Sequence, residues 1–311
     1  MTQITKNSVH SRRRPRHIRQ SGVDHIVDAV NYIFLAFCFI VTLYPIIYSI
    51  SASFSSTRAV MAGAVKLFPV EPSVYAYEII LRNPKIGTGY LNSIIYTVLG
   101  TTINLVLTML CAFCLSRRDF FGKTVVNGLL VFTMFFNGGI IPTYLLVMNL
   151  GMLNTIWCMV LPNAMNTWYV IIMRTYLSSS ISEELYEAAE LDGCSVYKTL
   201  LMVTLPLSGP IIAVIGLYCA VGIWNGYFDA FMYLTKSQLQ PLQIVLRDIL
   251  LLNKMDANML GGDVKDLAMR QGLSNLLKYA VIVVASVPLL CAYPFVQKYF
   301  VKGMMIGSLK G

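Results

Sequence analysis

Five stretches of this chain contain no Asp, Glu, Lys or Arg, and each is long enough to cross a lipid bilayer. They lie between Asp28 and Arg58, Lys85 and Arg117, Lys123 and Arg174, Lys198 and Asp229, and Lys278 and Lys298. A helix needs roughly 20 apolar residues to cross the hydrocarbon core, so the third stretch has room for two crossings. Asn149, Gly151 and Asn154 would form the turn between them. The pattern predicts an all-α integral membrane protein with six transmembrane helices, near residues 29–50, 92–115, 124–147, 155–174, 206–226 and 277–297.

The composition supports a membrane location. Hydrophobic residues make up 56% of the chain and charged residues only 13%, which is too little charge to cover a soluble domain of this length. The net charge of +9 could indicate nucleic-acid binding, but six of the basic residues precede residue 20, beside the first predicted span. Contact with anionic membrane lipid explains them better. We therefore expect membrane lipid, and no nucleic acid, as a partner.

Basic residues near the span ends predict the orientation, because Lys and Arg are enriched in short cytoplasmic loops. They cluster in the N-terminal segment, in the 116–123 connection and after residue 297. Both termini and the connection between spans four and five are thus predicted to be cytoplasmic. The predicted organisation has a basic N-terminal segment (1–28), a membrane domain (29–297) and a C-terminal tail (298–311). The membrane domain has one long inner loop (178–205) and two outer loops (51–91 and 227–276).

Several classes of function are disfavoured by what the sequence lacks. It has no glycine-rich phosphate loop, so it would need another subunit to bind ATP. The predicted span cores contain no ionisable Asp, Glu, His, Lys or Arg, which proton relays and intramembrane catalysis usually need. The three histidines precede the first span, and the seven cysteines lie mostly inside spans, where thiols act as small apolar groups. We predict no catalytic residue, no cofactor and no metal site.

The inner loop between spans four and five contains the most specific motif. Glu187-Ala188-Ala189 is followed after three residues by Gly193, and after nine more by Val203-Thr204-Leu205-Pro206. Ser180 could cap a helix in which Glu183 reaches back, as in a capping box. Gly193 stands where that helix would end with a positive φ, and Ser195 could start a second helix. Ala188 and Ala189 would share a shallow face, with Leu185 and Asp192, that a partner could approach closely.

This order of residues at fixed spacing resembles the cytoplasmic loop of ABC importer permeases. It departs from the common pattern by Val203 in place of Ile, and by Ser182 where Pro often opens the helix. Further runs are similar to the carbohydrate-uptake, maltose-type group, and among these to permeases for oligosaccharides of complex polysaccharides, including the alginate type. They are residues 136–144, 224–230, 241–248, 293–303 and 308–311.

The resemblance implies the type I ABC importer permease architecture and a set of partners. These are a second homologous permease, two cytoplasmic ATPase subunits that bind the ATP, and an extracytoplasmic solute-binding lipoprotein, all at the bacterial cytoplasmic membrane. In the family the inner loop is a coupling helix that docks into the ATPase. The residues that match the family motif are Glu187, Ala188, Ala189 and Gly193, with Leu205 and Pro206 closing it. Glu183 and Asp192 in the same loop complete the predicted coupling set.

A sugar pathway would combine aromatic rings, which stack on pyranose C–H faces, with amides that bind hydroxyls. Candidates are Asn163, Asn166 and Trp168 along span four, and Trp224, Asn225 and Tyr227 at the outer end of span five. Interfacial aromatic belts and helix-joining asparagines explain the same residues without a substrate.

Two other functions remain open on the sequence. An ABC importer for another solute, such as peptides or phosphonates, would have the same coupling loop. A membrane-bound glycan-processing enzyme would need acid or histidine clusters at the membrane surface, and the inner loops contain none apart from the motif itself.

Overall fold

The computed structural model describes residues 22–259 and 264–308, and every regular element in these two ranges is helical. The helices are α1 (Gly22–Ser53), α2 (Thr57–Met61), α3 (Tyr75–Arg82), α4 (Pro84–Ser116), α5 (Lys123–Phe135), α6 (Ile140–Asn149), α7 (Trp157–Val160), α8 (Thr167–Ser180), α9 (Glu183–Leu191), α10 (Val196–Thr199), α11 (Leu205–Leu207), α12 (Gly209–Asn225), α13 (Phe228–Tyr233), α14 (Leu242–Met259) and α15 (Val264–Ser308). A π-helical turn (Leu200–Thr204) joins α10 to α11, and a 3₁₀ turn (Ser237–Leu239) precedes α14.

Three of these helices are long and apolar enough to cross a membrane without a break. They contain the spans Val23–Ser53, Pro84–Ser116 and Gln271–Pro294. Two more crossings are possible if each of two bent pairs counts as one span: α5 with α6, bent by 110°, and the Val196–Leu207 stretch with α12, bent by 81°. The described helices therefore supply three to five spans, and the number six stays a prediction.

The third, fourth and fifth predicted spans are not straight helices. Residues 124–147 are interrupted at 136–139, where Gly139 has a φ of 87°. The N–H of Gly139 donates a hydrogen bond to Asn137 Oδ1 at 2.9 Å. Residues 155–174 are interrupted between Val160 and Thr167, around Pro162. Residues 206–226 bend at Ser208, between Pro206 and Pro210. The first break contains two glycines, and the other two contain or adjoin proline, which lacks the amide hydrogen that continues a helix. Apolar length alone did not reveal these breaks.

The predicted outer loops are largely helical. Residues 51–91 contain α2, α3 and the start of α4, and residues 227–276 contain α13, α14 and the start of α15. The backbone of the predicted C-terminal tail continues α15 as far as Ser308. The basic cluster before residue 20 and the last three residues lie outside the described part of the chain.

The chain divides into two units, residues 1–48 and residues 49–311. In the first unit, the described part of α1 leaves large apolar side chains largely exposed; Phe34, Phe37 and Ile40 each exceed 60%. Such a surface is costly in water and favourable in hydrocarbon. This helix is therefore suited to lipid.

In the second unit the helices pack at two ends, which we name after the short helices found there. At the α9 end, the last turns of α4 and α8 and the start of α12 form a core that includes Phe113, Leu177 and Ile215. At the α13 end, the start of α4 and the end of α12 pack against α3, α14 and α15 around Ile86, Trp224 and Leu277. A third core, around Tyr96, Cys158 and Ala230, includes Met159. The core at the α9 end supports the first candidate site, and the third core lies beside the second.

Candidate functional sites at the two ends

The first candidate site is helix α9 with the turn that follows it. Ser182, in an extended conformation, is the residue before the helix, and its side chain makes no capping hydrogen bond. The predicted capping box from Ser180 is wrong, because Ser180 is still the last residue of α8. Glu183 and Glu184 occupy the first turn instead, where negative charge interacts favourably with the helix dipole.

The turn after α9 has the geometry that the sequence predicts. Gly193 has a φ of 75°, a conformation that residues with a Cβ rarely adopt. The N–H groups of Gly193 and Cys194 donate to the carbonyls of Glu190 and Ala189 at 3.0 and 2.9 Å. Ser195 then accepts a hydrogen bond from the N–H of Lys198 at 3.5 Å and begins α10, as predicted.

The inner side of α9 is anchored to the connection between α4 and α5. The Arg117 guanidinium lies over the Tyr186 ring, 4.4 Å from its centre, and Arg117 Nη2 donates to Glu190 Oε1 at 2.6 Å. The Phe113 ring meets the Tyr186 ring edge-on, with centroids 6.2 Å apart. Arg117 and Tyr186 are both well buried, so α9 is held to the membrane helices by a charged and an aromatic contact at once.

Tyr186 acts here as a neutral aromatic anchor. Burial raises the pKa of its hydroxyl above the ordinary value of 10.0, although the Thr204 hydroxyl, which donates to it at 3.5 Å, and the Arg117 charge both act in the opposite direction. The hydroxyl therefore remains protonated at physiological pH.

The outer side of α9 presents a mixed apolar and acidic surface. Leu191 is 89% exposed, and Glu184, Glu187 and Ala188 are exposed beside it. Val196 and Tyr197 of α10 extend the apolar part. We call this set of residues, with Leu185 and Asp192, the outward face.

Ala188 and Ala189 do not share one face, contrary to prediction. Ala189 is 7% exposed and lies with Tyr186 on the inner side, whereas Ala188 is exposed. Adjacent residues of a helix are separated by about 100° around its axis. Ala189 therefore lies on the buried inner side, whereas Ala188 does not. Of the predicted coupling residues, Glu187, Ala188 and Asp192 lie on the outward face, Glu183 and Ala189 face the protein, and Gly193 forms the turn.

Leu205 and Pro206 lie apart from the outward face. The N–H of Leu205 donates to the Leu200 carbonyl five residues back, which defines the π turn. Pro206 has no N–H to continue an ordinary helix, which favours an irregular turn here. Leu205 lines an apolar cavity of about 210 Å³ together with Leu105, Met109 and Ile212 of the long helices.

The second candidate site is a polar cavity of about 210 Å³ between α4, the interrupted segment before α8 and the end of α12. Asn163 Nδ2 donates to Asp229 Oδ2 at 2.8 Å, and Asn104 Nδ2 donates to the Asn163 carbonyl at 3.3 Å. Thr108 supports Asn104 by a hydrogen bond of 3.2 Å. The lining comprises Asn104, Met159, Val160, Asn163, Asn166, Tyr169, Cys219, Gly222, Ile223, Gly226 and Asp229.

The six predicted pathway residues are not all in this cavity. Asn163 and Asn166 line it. Trp168, Asn225 and Tyr227 are exposed near it without lining it. Trp224 is 5% exposed in the α13-end core and donates from Nε1 to the Ala285 carbonyl at 3.0 Å, so its position is structural.

Sequence reasoning missed Asn104 and Asp229 in the cavity, and Arg117 and Tyr186 under α9. The sequence did offer a signal for two of them. Asn104 is an amide in the middle of one charge-free stretch, and Asp229 is the first charged residue after another charge-free stretch. Polar groups at such positions are expensive in a membrane and therefore often functional. Among the described residues, no group of three or more His, Cys, Asp and Glu is arranged to hold a metal ion.

Comparison with known proteins gives three consistent findings. The sequence model of the family described as "Binding-protein-dependent transport system inner membrane component" matches residues 73–306. Protein LplC of Bacillus subtilis (strain 168) is 38% identical over 92% of this chain and 95% of its own length. The polygalacturonan/rhamnogalacturonan transport system permease protein YtcP of the same strain is 38% identical over 93% of this chain and 99% of its own length.

A solved structure shares the fold. It is a chain from the crystal structure of a bacterial ABC transporter involved in the import of the acidic polysaccharide alginate. The TM-score is 0.78 at 35% identity, over 90% of this chain and 99% of that chain. The predicted all-α membrane fold of the importer-permease type is thereby confirmed.

Proposed function

The chain belongs to the family of inner membrane components of binding-protein-dependent transport systems, and from this premise we propose that it forms the translocation pathway of a bacterial ATP-driven oligosaccharide importer. Its similar proteins are transporter permeases and not enzymes, so the glycan-processing alternative is excluded. The relatives named for polygalacturonan/rhamnogalacturonan transport, for melibiose, raffinose and stachyose import, and for arabinooligosaccharide transport all support an oligosaccharide cargo. An importer for a non-sugar solute is the second candidate, but no relative named here supports it.

The chain is a multi-pass membrane protein that works with an ATPase and a solute-binding protein. We propose the finer arrangement of one second, homologous permease, two ATPase subunits and an extracytoplasmic lipoprotein receptor. ATP is then bound by the partner, and this chain holds no cofactor. The α9 end faces the cytoplasm, together with both termini; Arg117, Arg118 and Lys123 at that end support this orientation.

The observation that carries the coupling role is the contrast between the two sides of α9. Its inner side is fixed by Arg117 and Tyr186, while Leu191 on the outer side is 89% exposed. A cluster of exposed apolar side chains, here Leu191 with Val196 and Tyr197, is typical of a protein–protein interaction site. We propose that the outward face docks into the cytoplasmic ATPase, with Leu191 and Ala188 at the centre and the glutamates at the rim.

Two connections would transmit a movement of α9 to the membrane helices. One passes through Arg117 and Phe113 to α4, and the other through the π turn to α12. Because α4 and α12 both line the polar cavity, a shift of α9 would change the cavity.

The test is to place a charge on the outward face. Leu191→Glu and Ala188→Glu should each abolish binding of the ATPase in co-purification and lower sugar uptake by about 30-fold or more, the scale of an interface anchor of about 2 kcal/mol. Leu81→Glu is the matched control, because Leu81 is 66% exposed on α3 at the other end. Normal ATPase binding by both outward-face variants would refute the docking proposal.

A further inference from the structure

The polar cavity contains a carboxylate that no cation neutralises among the described residues. Asp229 Oδ2 is bound by the Asn163 amide at 2.8 Å, and the described lining includes no Lys or Arg. Arg247, on the next helix α14, directs its guanidinium over the Phe231 ring, 4.7 Å from its centre. The other polar groups of the lining are the amides of Asn104, Asn163 and Asn166 and the hydroxyl of Tyr169.

From this juxtaposition we propose that Asp229 is a specificity-determining residue that admits uncharged, hydroxyl-rich sugar units and rejects carboxylated ones. The inference rests on the proposed function, since it names the class of oligosaccharide that passes.

The chemistry of the lining explains the selectivity. An ionised carboxylate only accepts hydrogen bonds, and a sugar hydroxyl can donate to it in a charge-assisted bond. The asparagine amides offer both donors and acceptors to the remaining hydroxyls. A uronate brings a second negative charge to the same cavity, where the two like charges repel each other.

The size of the cavity agrees with recognition of one part of a chain at a time. Its volume of about 210 Å³ is below the range of about 300–1,000 Å³ of a complete small-molecule site. This chain would thus form one wall, past which the units of an oligosaccharide move in turn.

The charge of the cavity can be measured without knowing the cargo. Gly222 lines the cavity, and a Cβ built there has no atom within 4 Å, so Gly222→Cys would place a thiol in open space. In the assembled complex, on an otherwise cysteine-free chain, a cationic thiosulfonate should modify this thiol faster than an anionic one of similar size. Asp229→Asn should lower that rate ratio about tenfold, which corresponds to about 1.4 kcal/mol.

The control is Asp248→Asn, the same change at a carboxylate of α14 that does not line the cavity. It should leave the rate ratio within about twofold, as expected for a more distant and screened charge. An unchanged ratio in Asp229→Asn, or an equal fall in both variants, would overturn the inference.

Uptake then tests the cargo class with two trisaccharides that differ only at C6, galactotriose and trigalacturonate. The complex should take up galactotriose at least about tenfold faster, and Asp229→Asn should narrow this preference. Equal uptake of both sugars by the unmodified complex would overturn the inference. Uptake of neither, nor of any other glycan, would instead count against the proposed function, and the thiol rate ratio would still decide the charge of the cavity.

Discussion

The α9 site and the polar cavity are built in opposite ways. The α9 site comes from one short run of sequence, and its central charge is paired, since Arg117 binds Glu190 at 2.6 Å. The cavity gathers residues from α4, from the segment before α8 and from the end of α12, and its carboxylate is bound only by an amide in the described structure. The difference fits the two proposed roles: a docking surface that transmits movement needs a firm anchor, whereas a sugar pathway needs polar groups that are free to bind hydroxyls.

The largest expected effect concerns the turn that orients α9. Gly193→Val should abolish uptake while the protein still inserts normally, because a β-branched residue at a φ of 75° is strained by on the order of 1–3 kcal/mol and the helix would be misplaced. A Cβ at this position meets no atom within 4 Å, so the effect would come from the backbone and not from a clash. The measurement is uptake per correctly inserted complex.

Gly193→Asn is the matched control, since asparagine adopts the left-handed conformation more readily than other residues with a Cβ. It should keep most of the uptake. Equal activity in the valine and asparagine variants would show that the orientation of α9 does not matter, and the contrast between the two sites would lose its basis.

A second prediction separates packing from passage at the α13 end. Trp224→Ala should lower the stability of the purified protein by about 3–5 kcal/mol, because it empties a buried site and removes the hydrogen bond to the Ala285 carbonyl. Tyr227→Ala, at a side chain that is 48% exposed, should change stability by no more than about 0.5 kcal/mol. Thermal unfolding in detergent measures both. If the Trp224→Ala protein were stable and its sugar preference changed, Trp224 would be a residue of the sugar pathway and not of the core.

The smallest expected effect tests the anchor of α9. A double-mutant cycle with Arg117→Gln and Glu190→Gln should give a coupling energy of about 0.5–1 kcal/mol, limited by solvent because the Glu190 side chain is 58% exposed. The pair Arg118 and Glu183, at 3.8 Å with Arg118 83% exposed, should couple by only a few tenths of a kcal/mol. Strictly additive effects at the first pair would mean that Arg117 holds α9 through Tyr186 alone.

Much of the membrane fold followed from the sequence because its cause is local. Charge-free stretches correctly located three uninterrupted spanning helices, since a lipid environment penalises every exposed charge. The positive φ of Gly193 and the start of α10 at Ser195 also followed from single residues. The breaks at 136–139, 161–166 and 208 were harder to predict, because Gly, Asn and Pro compete there with an apolar pattern that is typical of an unbroken helix.

The sequence by itself determined that this chain crosses the membrane, and it predicted an importer-type coupling motif, because hydrophobic length and motif spacing are properties of neighbouring residues. Only the tertiary structure decided which side of α9 is free, since Ala189 is buried by what packs against it and not by its own chemistry. The same holds for Trp224, which the fold placed in a core, and for Asp229 and Asn104, which it placed at one cavity although 125 positions separate them in the chain. Contacts between distant residues depend on how the helices pack, and that packing is a property of the whole chain.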